Sequence, residues 1–79
     1  MSAFHDLVPL LLPAEGEGLS VRRLKVRLEG RVGRGVGEKH FRCVVRTCLA
    51  HGTIHAEVVK AGPRHQYRLW RGPRATGAV

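Results

Sequence analysis

The spacing of apolar residues changes at one glycine in the second half of the chain. Between Glu38 and His51, apolar residues recur every three or four positions, which is typical of one face of an α-helix. After Gly52 they alternate with polar residues, which is typical of a half-buried strand. Glycine also suits the left-handed conformation in which many helices end. The pattern therefore predicts a helix over 38–51 whose inward face carries Phe41, Val44 or Val45, Cys48 and Leu49.

Two alternating runs after this glycine predict a β-hairpin. Their apolar positions are Ile54, Ala56 and Val58 in the first run and Tyr67 and Leu69 in the second. The intervening segment 60–65, with Gly62 and Pro63 at its tip, has the composition of a turn. The second half of the chain thus predicts a helix followed directly by a hairpin.

A short helix is predicted near the start of the chain. Asp6 suits its N-cap, and Pro9 would fall in the first turn, where its missing N–H breaks no intrahelical hydrogen bond. Pro13 would end the helix. Its apolar stripe would consist of Phe4, Leu7, Leu10 and Leu11.

A second helix is predicted to begin after Ser20. The hydroxyl of Ser20 suits an N-cap, with Leu19 just outside the helix as a staple residue. Val21, Leu24 and Leu28 then follow at spacings of three and four, which predicts one apolar helix face. The remaining positions of this helix are mostly basic.

The segment Glu29–Gly37 contains four glycines, which argues against a stable helix. One interpretation is a mobile basic connector in which Arg31 and Arg34 contact phosphates. The alternative is an ordered insert, with a short strand around Val32 that pairs with the hairpin. The sequence leaves both open.

Charge narrows the choice of partner. The chain has 79 residues, 14 Lys and Arg against 6 Asp and Glu, and a formal net charge of +8. All the basic residues lie at or after Arg22. This distribution predicts that the N-terminal part supports the fold and that the rest of the chain carries a cationic binding surface. Such an excess favours a polyanionic partner, nucleic acid above all. The alternative is a solvated basic surface without a specific partner.

The apolar content predicts one globular domain over residues 1–72 and a flexible tail over 73–79. The longest apolar run, Leu7–Leu12, is interrupted by Pro9 and is far shorter than the ~20 residues of a membrane span. No basic residue precedes Arg22, so a signal peptide is not expected. The predicted location is cytoplasmic and nucleoid-associated, without membrane association.

Metal binding and catalysis have weak support in the sequence. Cys48, His51 and His55 have half of a zinc-finger spacing, but no second pair of ligands accompanies them. Cys43 and Cys48 would differ by about 140° on a helix and point in different directions. Asp6 is the only aspartate, and no carboxylate pair accompanies a histidine in a catalytic motif. We therefore expect no metal, no cofactor and no enzymatic activity.

The order helix, helix, helix, hairpin, together with three segments, resembles the winged helix-turn-helix family of DNA-binding domains, an α+β fold. "LSVRRLKVRL" is similar to the second helix of that family, "FRCVVRTCLAHGTI" to its recognition helix, and "YRL" to its last wing strand. The resemblance covers about residues 4–71. Two departures are the glycine-rich insert between the second and third helices and Cys48, where the family usually has leucine.

The resemblance implies a small transcriptional regulator, of the single-domain bacterial or phage type, that binds double-stranded DNA. The third helix would enter the major groove, and the hairpin would contact the backbone. The implied base-contacting residues are Lys39, Arg42, Cys43 and Arg46, with Ala50 beyond them. The implied backbone-contacting residues are Ser20, Arg22, Arg23, Arg31, Arg34, Lys60, Arg64 and His65.

Other partners share the same charge and fold. A basic winged helix also suits structured RNA or the ribosome, and members of the family serve as protein-interaction modules. The cationic outer face predicted for the third helix favours nucleic acid over protein. A monomer or weak dimer is expected, because no additional helix is available for dimerisation.

Overall fold

A computed structural model of the chain describes residues 3–73. Its elements are α1 Ala3–Leu11, β1 Leu19–Ser20, α2 Val21–Val32, α3 Glu38–His51, β2 Ile54–Ala61 and β3 Arg64–Arg71. The strands form one antiparallel sheet in the order β1-β3-β2. The predicted α+β class, with three helices and a C-terminal hairpin, is therefore confirmed. The tail predicted over 73–79 lies outside the described residues apart from Pro73.

The core lies where the three helices meet the base of the sheet. Phe41 of α3 is its largest fully buried side chain, and α1 packs on both α2 and α3. The core is entirely apolar among the described residues, so its stability comes from burial and close packing. Its members are Val8, Leu12, Leu19, Leu24, Leu28, Val36, Phe41, Val44, Val45, Cys48, Ile54 and Leu69.

The third helix begins and ends where the sequence predicts. Gly52 has φ 76° and ψ 13°, the left-handed conformation that glycine adopts without strain. Its N–H points to the carbonyls of Cys48 and Leu49, and Thr53 N–H donates to the Cys48 carbonyl at 3.1 Å. This turn leads directly into β2.

The hairpin is longer and more exposed than predicted. Lys60 pairs with His65, so the turn predicted over 60–65 shrinks to Gly62 and Pro63. Leu69 is buried at the base of the sheet, whereas Val58 and Tyr67 are 54% and 61% exposed. The alternation that predicted half-buried strands holds only near the core, because the outer part of the hairpin extends beyond the helices.

The second helix corrects the expectation that residues 29–37 are non-helical. It continues through Gly30 to Val32 and ends at Gly33, which has φ 77°. Val32 is a further apolar position on the face that buries Leu24 and Leu28, so packing outweighs the low helix propensity of Gly30. The alternative of a short strand around Val32 is therefore wrong, because Val32 is the last residue of α2.

The first strand of the sheet is Leu19–Ser20, which pairs with Leu69 and Arg68 of β3. It lies between α1 and α2 rather than after α2. A two-residue strand has no alternation to detect, so only its partner in the folded chain reveals it. This pairing brings the start of α2 beside β3.

The loop over residues 33–37 is held by Glu29. Its side-chain Oε2 accepts a hydrogen bond from Val36 N–H at 2.8 Å. Its carbonyl accepts from Gly33 N–H at 2.9 Å and Arg34 N–H at 3.3 Å. Val36 is buried in the core. These contacts favour the ordered insert over the mobile connector.

The first helix also differs from its prediction. It begins at Ala3 rather than after Asp6, so Pro9 falls near its end. Phe4, Leu7 and Leu11 of the predicted stripe are partly buried and pack against the core, whereas Leu10 is 65% exposed. The predicted stripe also missed Val8 and Leu12, which are fully buried in the core.

Pro9 leaves one carbonyl of α1 without its usual donor. Proline has no N–H, so the His5 carbonyl cannot receive the bond from four residues later. The Sγ of Cys48 donates to that carbonyl at 3.7 Å. Burial raises the pKa of the Cys48 thiol, which keeps its proton in place for this bond. The cysteine therefore compensates for the proline across the α1–α3 contact.

Two arginines cap the C-terminal end of α1. Arg27 Nη1 donates to the last carbonyl of α1, and Arg71 Nε and Nη2 donate to two others of α1 and to the carbonyl just past its end. Cations are favourable at this end of a helix because its carbonyls carry partial negative charge. The carbonyls are those of Leu11 for Arg27, and of Pro9, Leu10 and Leu12 for Arg71.

Gly18 is the glycine that packing requires. It has φ +76°, and a Cβ there would lie 2.7 Å from Trp70 Cε2. Gly16 has φ +91° but open space around its Cβ position, so it is a matched control. Gly16→Ala should cost about 1–2 kcal/mol of backbone strain. Gly18→Ala should cost about 1–3 kcal/mol more, because it overpacks against the indole.

Thermal unfolding followed by the fluorescence of Trp70, the single tryptophan, measures both variants. The emission of Gly18→Ala should also shift as the ring is displaced. Equal melting temperatures for the two variants would contradict the close packing of Gly18 and Trp70.

The Cys48–His5 hydrogen bond is tested by a double-mutant cycle with Pro9. Cys48→Ala should destabilise the wild-type background more than a Pro9→Ala background, because an alanine in place of the proline can donate its own N–H to the His5 carbonyl. The cavity left by the shorter side chain cancels in the cycle. We expect a coupling of about 0.5–1.5 kcal/mol from urea unfolding. Additive effects would show that the thiol does not serve this carbonyl.

Candidate nucleic-acid interface

The exposed face of α3 carries all four predicted base-contacting residues. At about 100° per residue, Lys39, Cys43 and Arg46 lie opposite the buried side of the helix, and Arg42 lies beside them on the side of α2. All four are exposed. We call these four residues the α3 ridge. It is an exposed helix face with three cations.

A shallow apolar cleft separates part of this ridge from α2. Leu49 lines this cleft, although the sequence predicted that its side chain points into the core. It is 39% exposed, because the end of α3 passes the start of α2 without covering it. The lining residues are Val21, Phe41, Val45 and Leu49, with Arg42 and Arg46 at the margin.

A second cationic surface lies between the start of α2 and β3. It holds four arginines, and we call it the arginine groove. The pairing of Ser20 with Arg68 creates it by bringing the two elements side by side. Its lining residues are Glu17, Ser20, Val21, Arg22, Arg23, Arg64, Gln66, Tyr67 and Arg68.

The arginine groove unites four predicted phosphate-contacting residues and adds others. Ser20, Arg22, Arg23 and Arg64 were predicted, whereas Arg68 was missed. Arg68 could have been found only by predicting the β1–β3 pair. Glu17 introduces one carboxylate at the margin of the groove.

The N-terminus of α2 strengthens the positive potential of the groove. Ser20 Oγ accepts a hydrogen bond from Arg23 N–H at 3.2 Å, as predicted for an N-cap. The free N–H groups of a first helical turn carry partial positive charge, which favours an anion such as phosphate. Arg22 and Arg23 are exposed at the same end of the helix.

The α3 ridge and the arginine groove belong to one surface. Val21, the first residue of α2, borders both the groove and the apolar cleft beside the ridge. A ligand long enough to span from α3 to β3 would therefore meet cations at both ends, with the apolar cleft between them.

The remaining predicted contacts lie outside the groove. Lys60 and His65 face each other across the hairpin and, because side chains alternate along a strand, lie on the face opposite to Arg64. Arg31 is exposed in the last turn of α2. The guanidinium carbon of Arg34 lies 6.0 Å from the centre of the Phe4 ring of α1. Neither Arg31 nor Arg34 lines the groove.

An ion-pair network joins α2 to the α3 ridge. Glu38 Oε1 accepts from Lys25 Nζ at 2.9 Å, and Glu38 Oε2 accepts from Arg42 Nε at 3.2 Å. The hydrogen bond and charge of Lys25, followed by those of Arg42, hold the pKa of Glu38 below its usual value. The carboxylate is therefore ionised at neutral pH, and the stabilisation from these pairs is lost as the pH falls through that lowered pKa. The sequence did not indicate this network.

No group of three or more metal-ligating side chains occurs within residues 3–73. The two cysteines are free thiols, with Cys43 exposed and Cys48 buried on the same helix. In the same part of the chain, no helix has the length and apolarity needed to cross a membrane.

Comparison with models of known protein families, with curated proteins and with solved structures finds no match to this chain.

Proposed function

We propose that residues 3–73 form a winged-helix domain that binds double-stranded DNA. The order α1, β1, α2, α3, β2, β3 with one antiparallel sheet supports this fold assignment. The β2–β3 hairpin would be the wing. The connector over 33–37 is longer than a tight turn, but Glu29 holds it at the Val36 amide.

The observation that carries the proposal is the continuity of the α3 ridge with the arginine groove through Val21. A major groove about 12 Å wide admits one helix, and its floor presents a distinct pattern of donors and acceptors for each base pair. With α3 inserted, the adjacent arginine groove would meet the phosphates that border the major groove.

The two parts of the surface have different roles in this proposal. Lys39, Arg42, Cys43 and Arg46 face base edges, and a guanidinium can bind guanine O6 and N7 bidentately. Ser20 and the four arginines of the groove bind phosphates and set the register of the protein on the duplex. Lys60 and His65 extend the contacts along the outer hairpin.

The biological role that fits this activity is a small transcriptional regulator of the nucleoid, acting as a monomer or weak dimer. No residue among those described is assigned to catalysis or to a cofactor in this proposal. Sedimentation of the free protein measures its oligomeric state and so tests whether it is a monomer or weak dimer.

A protein partner is the second candidate, and the apolar cleft supports it. An apolar segment of another protein would bury the surface of Leu49 and Val45, and acidic residues in it would pair with Arg42 and Arg46. Structured RNA is the third, since phosphate contacts alone do not distinguish it from DNA.

Competition at fixed, near-physiological salt decides among the nucleic acids. The protein is incubated with a random duplex DNA pool and a structured RNA pool of equal phosphate concentration, and bound molecules are sequenced. We expect enrichment of duplex DNA with a common short motif. Preference for structured RNA over every duplex would overturn the proposal, and absence of binding to both would favour the protein partner.

The salt dependence of binding locates the phosphate contacts. Replacing Arg22 and Arg23 together by alanine should lower the slope of log K against log salt by about two. Sequence preference should be retained, because these residues contact no base. An unchanged slope would exclude the arginine groove from the interface.

The charge-matched comparison is the double replacement of Arg31 and Arg34 by alanine. An equal fall in slope would place Arg31, in the last turn of α2, and Arg34, in the 33–37 connector, on phosphates, which is one of the two interpretations that the sequence leaves open. An unchanged slope would confine the phosphate contacts to the groove and hairpin. Because both double variants remove the same charge, any difference between them reflects position alone.

A further inference from the structure

We infer that Arg42 is the guanine-reading residue of the α3 ridge, and that Glu38 and Lys25 are positioning residues that hold it in the reading orientation. This inference rests on the proposed function and names the residues that would give it sequence specificity. It also assigns a role to Glu38, the acidic first residue of α3, although its negative charge alone would weaken the binding of a nucleic acid.

The geometry of the Arg42 side chain carries the inference. A guanidinium has five N–H donors in a fixed plane, and Glu38 engages only the Nε side through its 3.2 Å bond. Among residues 3–73, no acceptor binds the two terminal nitrogens of Arg42. Those two nitrogens form the edge that matches guanine O6 and N7.

Glu38 is itself held from the second helix. Its other oxygen accepts from Lys25 Nζ at 2.9 Å, and the Lys25 side chain is 26% exposed against 74% for Arg42. The least exposed member of the network thus belongs to α2, and the most exposed member points away from the body of the domain. The chain of contacts thus links an exposed arginine of α3 to a partly buried lysine of α2, and both helices are fixed by their packing on α1.

Arg46, one turn further along α3, serves as the comparison. It is exposed on the same ridge, but no carboxylate within residues 3–73 pairs with it. A long side chain that is already ordered loses less rotamer entropy on binding than a free one. Arg42 therefore begins closer to its bound conformation than Arg46.

The charge of Glu38 also favours discrimination. An ionised carboxylate on the ridge repels every phosphate backbone, so it weakens binding to all duplexes alike. On the preferred duplex this loss of affinity is offset, because Glu38 holds Arg42 in line with its guanine. Removing the carboxylate should therefore raise affinity for unrelated DNA while lowering preference for the correct base pair.

The experiment compares full-length wild type with Glu38→Gln, Lys25→Met, Arg42→Ala and Arg46→Ala. Each protein is titrated with the duplex that the wild type selects from a random pool, with versions altered at single base pairs, and with an unrelated duplex. Melting temperatures of the free variants confirm folding. In addition, NMR of the free proteins measures solvent exchange of the Arg42 Nε–H.

We expect Arg42→Ala to abolish preference at one guanine–cytosine pair. Glu38→Gln and Lys25→Met should each reduce discrimination at that same pair by about tenfold. For the unrelated duplex the two should diverge, with tighter binding by Glu38→Gln and weaker binding by Lys25→Met. A shared loss of discrimination with opposite changes in net charge cannot arise from charge alone. Arg46→Ala should leave the preference at that pair intact.

Full discrimination by both Glu38→Gln and Lys25→Met would overturn the positioning role and leave the proposed function standing. Unchanged preference in Arg42→Ala would overturn the reading role. A wild type that binds every duplex equally would overturn this inference and leave duplex binding standing, whereas a wild type that binds no duplex would overturn the proposed function and this inference together. In that case, slow exchange of the Arg42 Nε–H that is lost in Glu38→Gln would show that the network forms but serves another purpose.

Discussion

The carbonyl of Cys48 sets the relation between the third helix and the hairpin. It accepts hydrogen bonds from Thr53 N–H at 3.1 Å and Thr53 Oγ1 at 3.2 Å, and the Gly52 N–H also points to it. The Thr53 carbonyl in turn accepts from Gly72 N–H at 2.7 Å, just past the end of β3. Both ends of the hairpin are therefore tied to the last turn of α3. A ligand bound along α3 would meet the hairpin in one fixed orientation.

The short first strand has the corresponding role on the other side of the sheet. Its register with β3 places the N-terminus of α2 beside four strand residues, which produces the arginine groove. The close approach of Gly18 to Trp70, and the hydrogen bond from Trp70 Nε1 to the Gly16 carbonyl at 3.0 Å, hold the segment before this strand. The pairing of only two residues, Leu19 and Ser20, with β3 thus determines where the groove forms.

The parts of the fold that sequence predicted correctly depend on neighbouring residues. The bounds of α3, the left-handed Gly52 and the Ser20 cap each follow from side chains within a few positions. The parts that it missed depend on residues far apart in the chain. Examples are β1, which exists only through its pairing with Leu69, and the continuation of α2 through Gly30, which burial of Val32 makes favourable.

The candidate site divides in the same way. The α3 ridge follows from helical periodicity and is exposed as predicted. The contribution of Arg68 and the Lys25–Glu38 contact could not be predicted, because Lys25 and Glu38 are 13 positions apart and come together only when α2 and α3 both pack on α1. Spacing along the chain indicates which residues share a helix face, but it does not indicate which faces meet.

The location of the basic residues is more informative than their number. Of the 14 Lys and Arg residues, Arg27 and Arg71 are bound to carbonyls of α1, so their charge stabilises the fold. Lys25 and Arg42 share the carboxylate of Glu38. By contrast, the side chains of Arg22, Arg23, Arg46, Arg64 and Arg68 form no ion pair among the described residues. The cations that hold the helices and sheet together are thus largely separate from those left available to a ligand. Within residues 3–73, Arg31, Arg34, Lys39 and Lys60 also form no ion pair, and of these only Lys39 lies on the surface that joins α3, the start of α2 and β3. Among the described residues, six of the nine Lys and Arg side chains that neither form an ion pair nor cap α1 therefore lie on that surface, and this concentration, rather than the net charge, supports a nucleic-acid interface there.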